Sequence, residues 1–147
     1  MNRDFVEMLS ALCGEGAEFL LVGAYALAVH GHPRATGDLD LWIRPDAANA
    51  ARVLQALRRF GAPLEGLRAG DLARPDTVFQ IGVQPVRIDL LTAIDGVEFP
   101  EAWAARVAAR IEGLEVPVIG RQHLIRNKRA TGRTRDLADA EALEGQG

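Results

Sequence analysis

The stretch "DLDLWI", from Asp38 to Ile43, constrains this chain more than any other six residues. Alternate residues of a β-strand point to opposite faces. As a strand it turns Asp38 and Asp40 one way and Leu39 and Leu41 the other. A bare carboxylate is costly to bury, so the acidic face must meet water or a cation while the leucine face meets a core. The chain therefore needs a sheet, and one end of that sheet needs a polar neighbourhood.

The flanking pattern supplies the rest of such a sheet. Phe5, Met8, Leu9 and Leu12 recur at helical spacing ahead of Gly14 and Gly16. "EFLLVG" predicts a buried strand, and "AYALAVHG" a helix that ends at Gly31. Asp46 is placed to cap the helix "AANAARVLQALRRF", whose Val53, Leu54 and Leu57 form an apolar side. Residues 61 to 76 predict a long connection. "TVFQIGV" and "VRIDLLTAI" predict two strands joined tightly through Gln84 and Pro85. "PEAWAARVAARI" predicts a helix from Pro100, and "LEVPVI" a short edge strand, because Pro117 lacks an N–H. Residues 121 to 144 predict two short helices broken near Gly132. This is an α/β (α+β) order: a single domain over 1–147, a mixed sheet with helices packed on its faces and a C-terminal helical segment.

Composition narrows the setting. Apolar residues make up 48% of the chain and charged residues 25%, the range of soluble globular domains. A net charge of −3 does not suit a surface that coats nucleic acid, so any such contact needs a local basic patch. Cys13 stands alone, which excludes an internal disulfide and a cysteine-based zinc site. "MNRDFVEMLS" has no apolar signal core, and "FLLVGAYALAV" is too short to cross a bilayer. A cytoplasmic location, with no membrane partner, is the expectation.

In "VRIDLLT", Asp89 shares a face with Arg87 and Leu91. If this strand neighbours "DLDLWI", three carboxylates meet. Carboxylates so close repel one another unless a cation intervenes. All-oxygen ligands suit Mg2+ or Mn2+ better than zinc or copper. Two ions roughly 3.5–4 Å apart are the arrangement that serves in-line phosphoryl or nucleotidyl displacement. Solvent-facing strand ends would suit the same acids. Upstream, Gly23 joins strand to helix, where a backbone can approach a ligand and helix N–H groups can meet a phosphate; a tight turn with no ligand has the same appearance.

Together, Gly23-Ala24 with its helix, "RATGDLDLWI" and "RIDLL" resemble the minimal nucleotidyltransferases of the polymerase-beta superfamily, and most of all the abortive-infection (AbiEii-like) type, which includes toxin–antitoxin components. The tail "LIRNKRATGRTRDLADAEAL" is similar as well, so the resemblance runs from about residue 16 to residue 143. It implies that Asp38 and Asp40 bind the metals, that Asp89 is a third ligand and helps deprotonate the acceptor, and that Gly23 and the turn after it, Ala24 and Tyr25, hold the triphosphate of an NTP. The implied reaction moves a nucleoside monophosphate to a hydroxyl on a protein, an RNA end or a small molecule. The family pattern has Gly or Ser where this chain has Ala24. That departure favours a rival, a nucleotide- or partner-binding module without turnover. A second rival is a metal-dependent phosphohydrolase.

Other polar residues carry expectations too. Arg34 is placed to clamp a phosphate or to pair with an acid, and Thr36 to bind the turn backbone. His30 suits carbonyl capping at a helix end, and His32 has no assigned role. Tyr25, in the first turn after Gly23, is the aromatic best placed to stack on a base; Trp42 is a second candidate, and Trp103 suits the core. Lys128 is the only lysine beside sixteen arginines. It is expected to reach a nucleotide phosphate or a carboxylate of the cluster. Asp136 is expected as an N-cap and Asp139 as an ion-pair residue. A partner protein, or a homodimer through the proline-bearing strand near Val116, completes the expectations.

Overall fold

The acidic strand lies inside a mixed six-stranded sheet. The computed structural model describes residues 1–83 and 85–145; Gln84, half of the expected hairpin connection, lies outside them. The strands are β1 (Phe19–Val22), β2 (Asp38–Ile43), β3 (Val78–Val83), β4 (Val86–Leu91), β5 (Val107–Ile111) and β6 (Leu114–Val118). Their order across the sheet is β3-β4-β2-β1-β6-β5. β2 runs parallel to β4 and antiparallel to β1, and β1 runs parallel to β6. The helices are α1 (Arg3–Gly14), α2 (Gly23–Val29), α3 (Ala47–Phe60), α4 (Ala69–Leu72), α5 (Phe99–Ala104), α6 (Arg121–Thr131) and α7 (Thr134–Glu144).

Alternation along β2 does what the sequence requires. Leu39, Leu41 and Ile43 are fully buried, and their register partners Ile88, Leu90, Leu21 and Phe19 are buried beside them. Burying each such side chain contributes about 1.5–3 kcal/mol. The other face of β2 carries Asp38, Asp40 and Trp42. Trp42 packs edge-on against Phe99, with ring centres 5.1 Å apart. One face is thus core throughout, while the other changes from apolar to acidic along a single strand. Asp46 caps α3 by accepting from the Asn49 N–H at 2.8 Å, and Gly61, in the left-handed region at φ 90°, ends it.

Three expectations need correction. The helix from Pro100 stops at Ala104, and Val107–Ile111 is the strand β5. The two residues between β5 and β6, Glu112 and Gly113, both have positive φ (50° and 81°). That is the backbone of a two-residue hairpin turn, whose twist matches that of the strands it joins. In consequence β6 is an interior strand, because β5 pairs along its whole length. Pro117 is tolerated there since β6 meets β1 only at Val118. The edges are β3 and β5, so the proposed dimer surface on β6 does not exist as an edge. The long connection over residues 61 to 76 also contains the short helix α4.

Candidate active site

Two strands and one arginine build the acidic half of the site. β2 and β4 lie in register, with Asp38 opposite Arg87 and Asp40 opposite Asp89. All four side chains therefore rise from one face. The Arg87 guanidinium donates to both oxygens of Asp89, at 2.8 and 3.1 Å, and reaches the Asp38 carboxylate at 3.4 Å. Strand alternation alone places Arg87 on this face without showing what it pairs with. The spacing Arg-x-Asp was the available signal: residues two apart on a strand share a face, and opposite charges there pair.

Asp40 is the strained member. Burial first, then the neighbouring Asp89 and Asp38 carboxylates, push its pKa up to about 6. Arg87 and Lys128 pull the other way without cancelling this. Gly23 stands directly against it. Its φ is +69°, and a Cβ at this position would overlap the Asp40 carboxylate. Glycine is required twice over, by the backbone angle and by the carboxylate packed on it. The register pairing of Val22 with Asp40 brings the two together.

Gly23, Ala24, Asp38 and Asp40 line one wall of a cleft of about 630 Å³. Arg34 and Thr36 come from the loop before β2, and the opposite wall is α6 and α7 with Lys128, Arg133, Arg135 and Asp136. Asp89 is joined to this group through Arg87 and does not itself line the cleft. Thr36 holds the turn as expected: its hydroxyl accepts from the Asp38 N–H at 3.1 Å. Tyr25 departs from expectation. Its ring meets Phe5 edge-on at 5.8 Å, away from the cleft, so it is not placed to stack on a ligand there.

The helical wall is internally bonded. Lys128, 6% exposed, reaches Asp136 at 3.1 Å and Asp139 at 3.2 Å. Its carboxylate partners are these two, not the strand cluster. Asp136 is the third residue of α7 rather than its N-cap, and it also accepts from Thr131 and Arg133, each at 2.7 Å. Burial alone would raise the Asp136 pKa, but the bonds from Thr131, Lys128 and Arg133 outweigh it and hold the carboxyl below the usual range. Arg34 takes the acid-pairing alternative: its two terminal nitrogens grip Asp139 at 3.1 and 2.7 Å. This fork ties the loop before β2 to α7. The His30 ring bonds the Ile119 carbonyl at 2.8 Å, so it meets a strand-end carbonyl rather than one of its own helix.

Among the described residues, no three acidic, histidine or cysteine side chains are gathered so as to hold an ion by themselves. On the strand side the cleft meets a carboxylate pair, Asp38 and Asp40. That donor set fits magnesium, which commonly takes one or two carboxylates and fills its remaining positions with water and substrate phosphate oxygens. The raised pKa of Asp40 fits as well, since a divalent cation would offset both the burial and the carboxylate repulsion that cause it. No helix among the described residues is long and apolar enough to cross a membrane.

Solved structures share this architecture. A candidate nucleotidyltransferase from Thermotoga maritima aligns over 98% of this chain and 90% of its own, at 13% identity and a TM-score of 0.60. The lincosamide antibiotic adenylyltransferase LnuA, solved with lincomycin, aligns over 98% of this chain and 96% of its own, at 12% identity and a TM-score of 0.61. An antigenic nucleotidyltransferase-like protein from Paracoccidioides brasiliensis aligns over 98% and 76%, at 19% identity and a TM-score of 0.56. No protein-family model matches the chain, and no curated protein does. The mixed sheet with its helices is a nucleotidyltransferase fold.

Proposed function

We propose that this chain transfers a nucleoside monophosphate from an NTP to a hydroxyl acceptor, with release of pyrophosphate. The reading rests on one observation above the others: two carboxylates, Asp38 and Asp40, the latter pushed up to about 6 by burial and then by its acidic neighbours, line a cleft of about 630 Å³ together with Arg34, Lys128, Arg133 and Arg135. Asp38 and Asp40 would hold Mg2+ or Mn2+. When bound, the ions neutralise phosphate charge and lower the pKa of a coordinated hydroxyl. The chain's own residues do the positioning. Gly23 leaves room for Asp40, and the Gly23-Ala24 turn offers backbone N–H groups to the phosphates. Arg34 and Lys128 present fixed positive charge toward the leaving pyrophosphate while Asp136 and Asp139 hold them still. Charge placed in advance at a developing anion accelerates such a step without reorganisation at the moment of reaction. Asp89 orients Arg87 against Asp38; a direct role for it with the acceptor or a second ion would require Arg87 to release it.

The finer reading, an abortive-infection type enzyme acting within a toxin–antitoxin pair, draws on the tail "RNKRATGRTRDLADAEAL". A small-molecule acceptor has the adenylyltransferase LnuA as its precedent among the solved relatives. The binding-module alternative gains from Arg87, which already engages Asp89.

The test is transfer of label from [α-32P]NTPs with Mg2+ or Mn2+ into protein, RNA and small-molecule acceptor pools, with pyrophosphate release followed in parallel. Transfer that is lost in Asp38→Asn and Asp40→Asn supports the enzyme. Nucleotide binding with neither transfer nor pyrophosphate release would leave the binding module. Release of phosphate without any acceptor product would favour the phosphohydrolase.

A further inference from the structure

The two edges of the sheet, β3 and β5, are finished differently. β5 carries Arg110, a charge of the kind that keeps an edge strand from pairing with another chain. β3, "VFQIGV", carries no charged residue and no proline over its six residues. Large apolar side chains stand out along it instead. Val78 is 56% exposed and Val83 79%, and Val86, opposite Val83 in register, is 41% exposed. The main chain of this edge has a readable phase. The Thr92 N–H donates to the Thr77 carbonyl at 3.0 Å, and residues opposite one another in an antiparallel pair alternate between bonded and non-bonded. Phe79 and Ile81, opposite Leu90 and Ile88, therefore bond β4, while Val78 and Gln80 turn their N–H and C=O groups to the open edge. Leu90 and Ile88 are buried, yet Phe79 and Ile81 are only partly so. The core face is unfinished along this strand. Gly82, with φ 84°, bends only its hairpin end.

We propose that β3 is a dimer interface, pairing antiparallel with β3 of a second copy of this chain about a two-fold axis through Gln80. The inference stands apart from the nucleotidyl-transfer reading, and it puts the expected homodimer on β3 in place of β6. The occupant follows from the strand itself. A two-fold axis at Gln80 sets that residue opposite its own copy, where the two main chains exchange both hydrogen bonds. The same axis sets Phe79 beside Ile81 of the second copy, twice over. This is an aromatic–β-branched pair at a non-bonded position, where cross-strand side chains come closest, and it carries the core face across the junction. Val83 falls opposite Thr77 of the second copy. Like charges meet nowhere along the six residues, because the strand has none. A strand of a different protein would be selected by charges or pockets. β3 offers no charge, and none of its residues lines the carboxylate cleft. The axis stands perpendicular to the sheet, so the carboxylate clefts of both copies open on the same side.

Sedimentation velocity on the full chain, at concentrations up to about 100 μM so that micromolar dissociation constants register, should show a dimer. Gln80→Pro removes an N–H that points away from β4, so it spares the ladder within the chain and strikes only the added strand. It should weaken dimerisation about tenfold to a hundredfold, the equivalent of two lost hydrogen bonds. If that variant fails to fold, the double variant Val78→Lys, Val83→Lys carries the test. Both positions are exposed, circular dichroism checks the fold, and charges along the edge should leave a monomer. Hydrogen exchange locates the contact. The Val78 and Gln80 amides should be protected in the dimer and lose that protection on dilution, while those of Phe79 and Ile81 keep theirs. A parent that is monomeric throughout, a parent that forms a species larger than a dimer, or a dimer that persists unweakened in a folded variant overturns the proposal. So does exchange at Val78 and Gln80 that does not change on dilution.

Discussion

The two walls of the cleft treat charge in opposite ways. On the strand wall, Asp38, Asp40 and Asp89 share one arginine, and Asp40 is driven up to about 6. On the helical wall, Asp136 and Asp139 meet Lys128, Arg34 and Arg133, and Asp136 is held below the usual carboxylate range. Both walls are built from aspartates and basic residues, and burial pushes the carboxyl up on each. The helical wall satisfies both of its acids within the chain, with three cations to two carboxylates. The strand wall is left short of positive charge, and the missing charge must come from a proton or a bound cation. The difference separates a structural ion network from a site that is incomplete without a ligand.

The largest effect should come from unbalancing the complete wall. Lys128→Ala leaves Asp136 and Asp139 without their shared ammonium in a buried setting. Removal of one partner of a buried ion pair destabilises by about 3–5 kcal/mol. Chemical denaturation should show this loss with or without divalent cation. A loss below about 1 kcal/mol would mean that the helical wall is not the closed network described here. Lys128→Arg sharpens the point: the guanidinium has a different shape from the compact ammonium, so partial recovery of stability is expected rather than full rescue.

Gly23→Ala attacks the strand wall by geometry instead of charge. The left-handed backbone costs an L residue about 1–2 kcal/mol, and the overlap with the Asp40 carboxylate adds to that. A total of about 2–4 kcal/mol is expected in thermal unfolding. Mn2+ binding, read by calorimetry, should weaken as well, because Asp40 must move. Unaltered Mn2+ affinity in a folded Gly23→Ala protein would show that Asp40 is not a ligand.

Much of the strand wall was legible in the sequence, because it rests on short-range rules. Period-two alternation put Asp38 and Asp40 on one face and Asp89 on the matching face of β4. Gly23 at a strand-to-helix junction also stood out, though its closest neighbour is Asp40 itself. The helical wall was less legible. Lys128 drew attention as the lone lysine, but its partners sit 8 and 11 residues further on, on the next helix, and the turn at Gly132 decides that they meet. Arg34 and Asp139 are still further apart in the chain, and only the folded packing joins them. Tyr25, on α2, meets Phe5 of α1, a contact between helices that the glycine motif gives no hint of. The β5 strand was hidden by alanines that read as helix, with Glu112-Gly113 the one local sign of a hairpin.

The smallest effect is also the one that most directly separates the two walls, because its sign differs from the others. Asp40 keeps a proton in the folded chain between about pH 4 and pH 6, a range in which the unfolded chain has lost it. Stability therefore falls as pH rises through that window and stays lower above it. Asp40→Asn removes the liability while keeping the shape. The variant should be more stable than the parent by about 2 kcal/mol at pH 8, and the gain should fade as the pH is lowered below about 4. Asp136→Asn, whose parent carboxyl is held down rather than up, should be less stable than the parent at pH 8 and should approach it in acid. Adding Mn2+ sharpens the contrast. The parent should rise in melting temperature at pH 8 as the cation replaces the missing proton, while Asp40→Asn should not respond. If Asp40→Asn is destabilised at pH 8, or if Mn2+ stabilises it as much as the parent, the strand wall is balanced after all and the case for a bound cation there is lost.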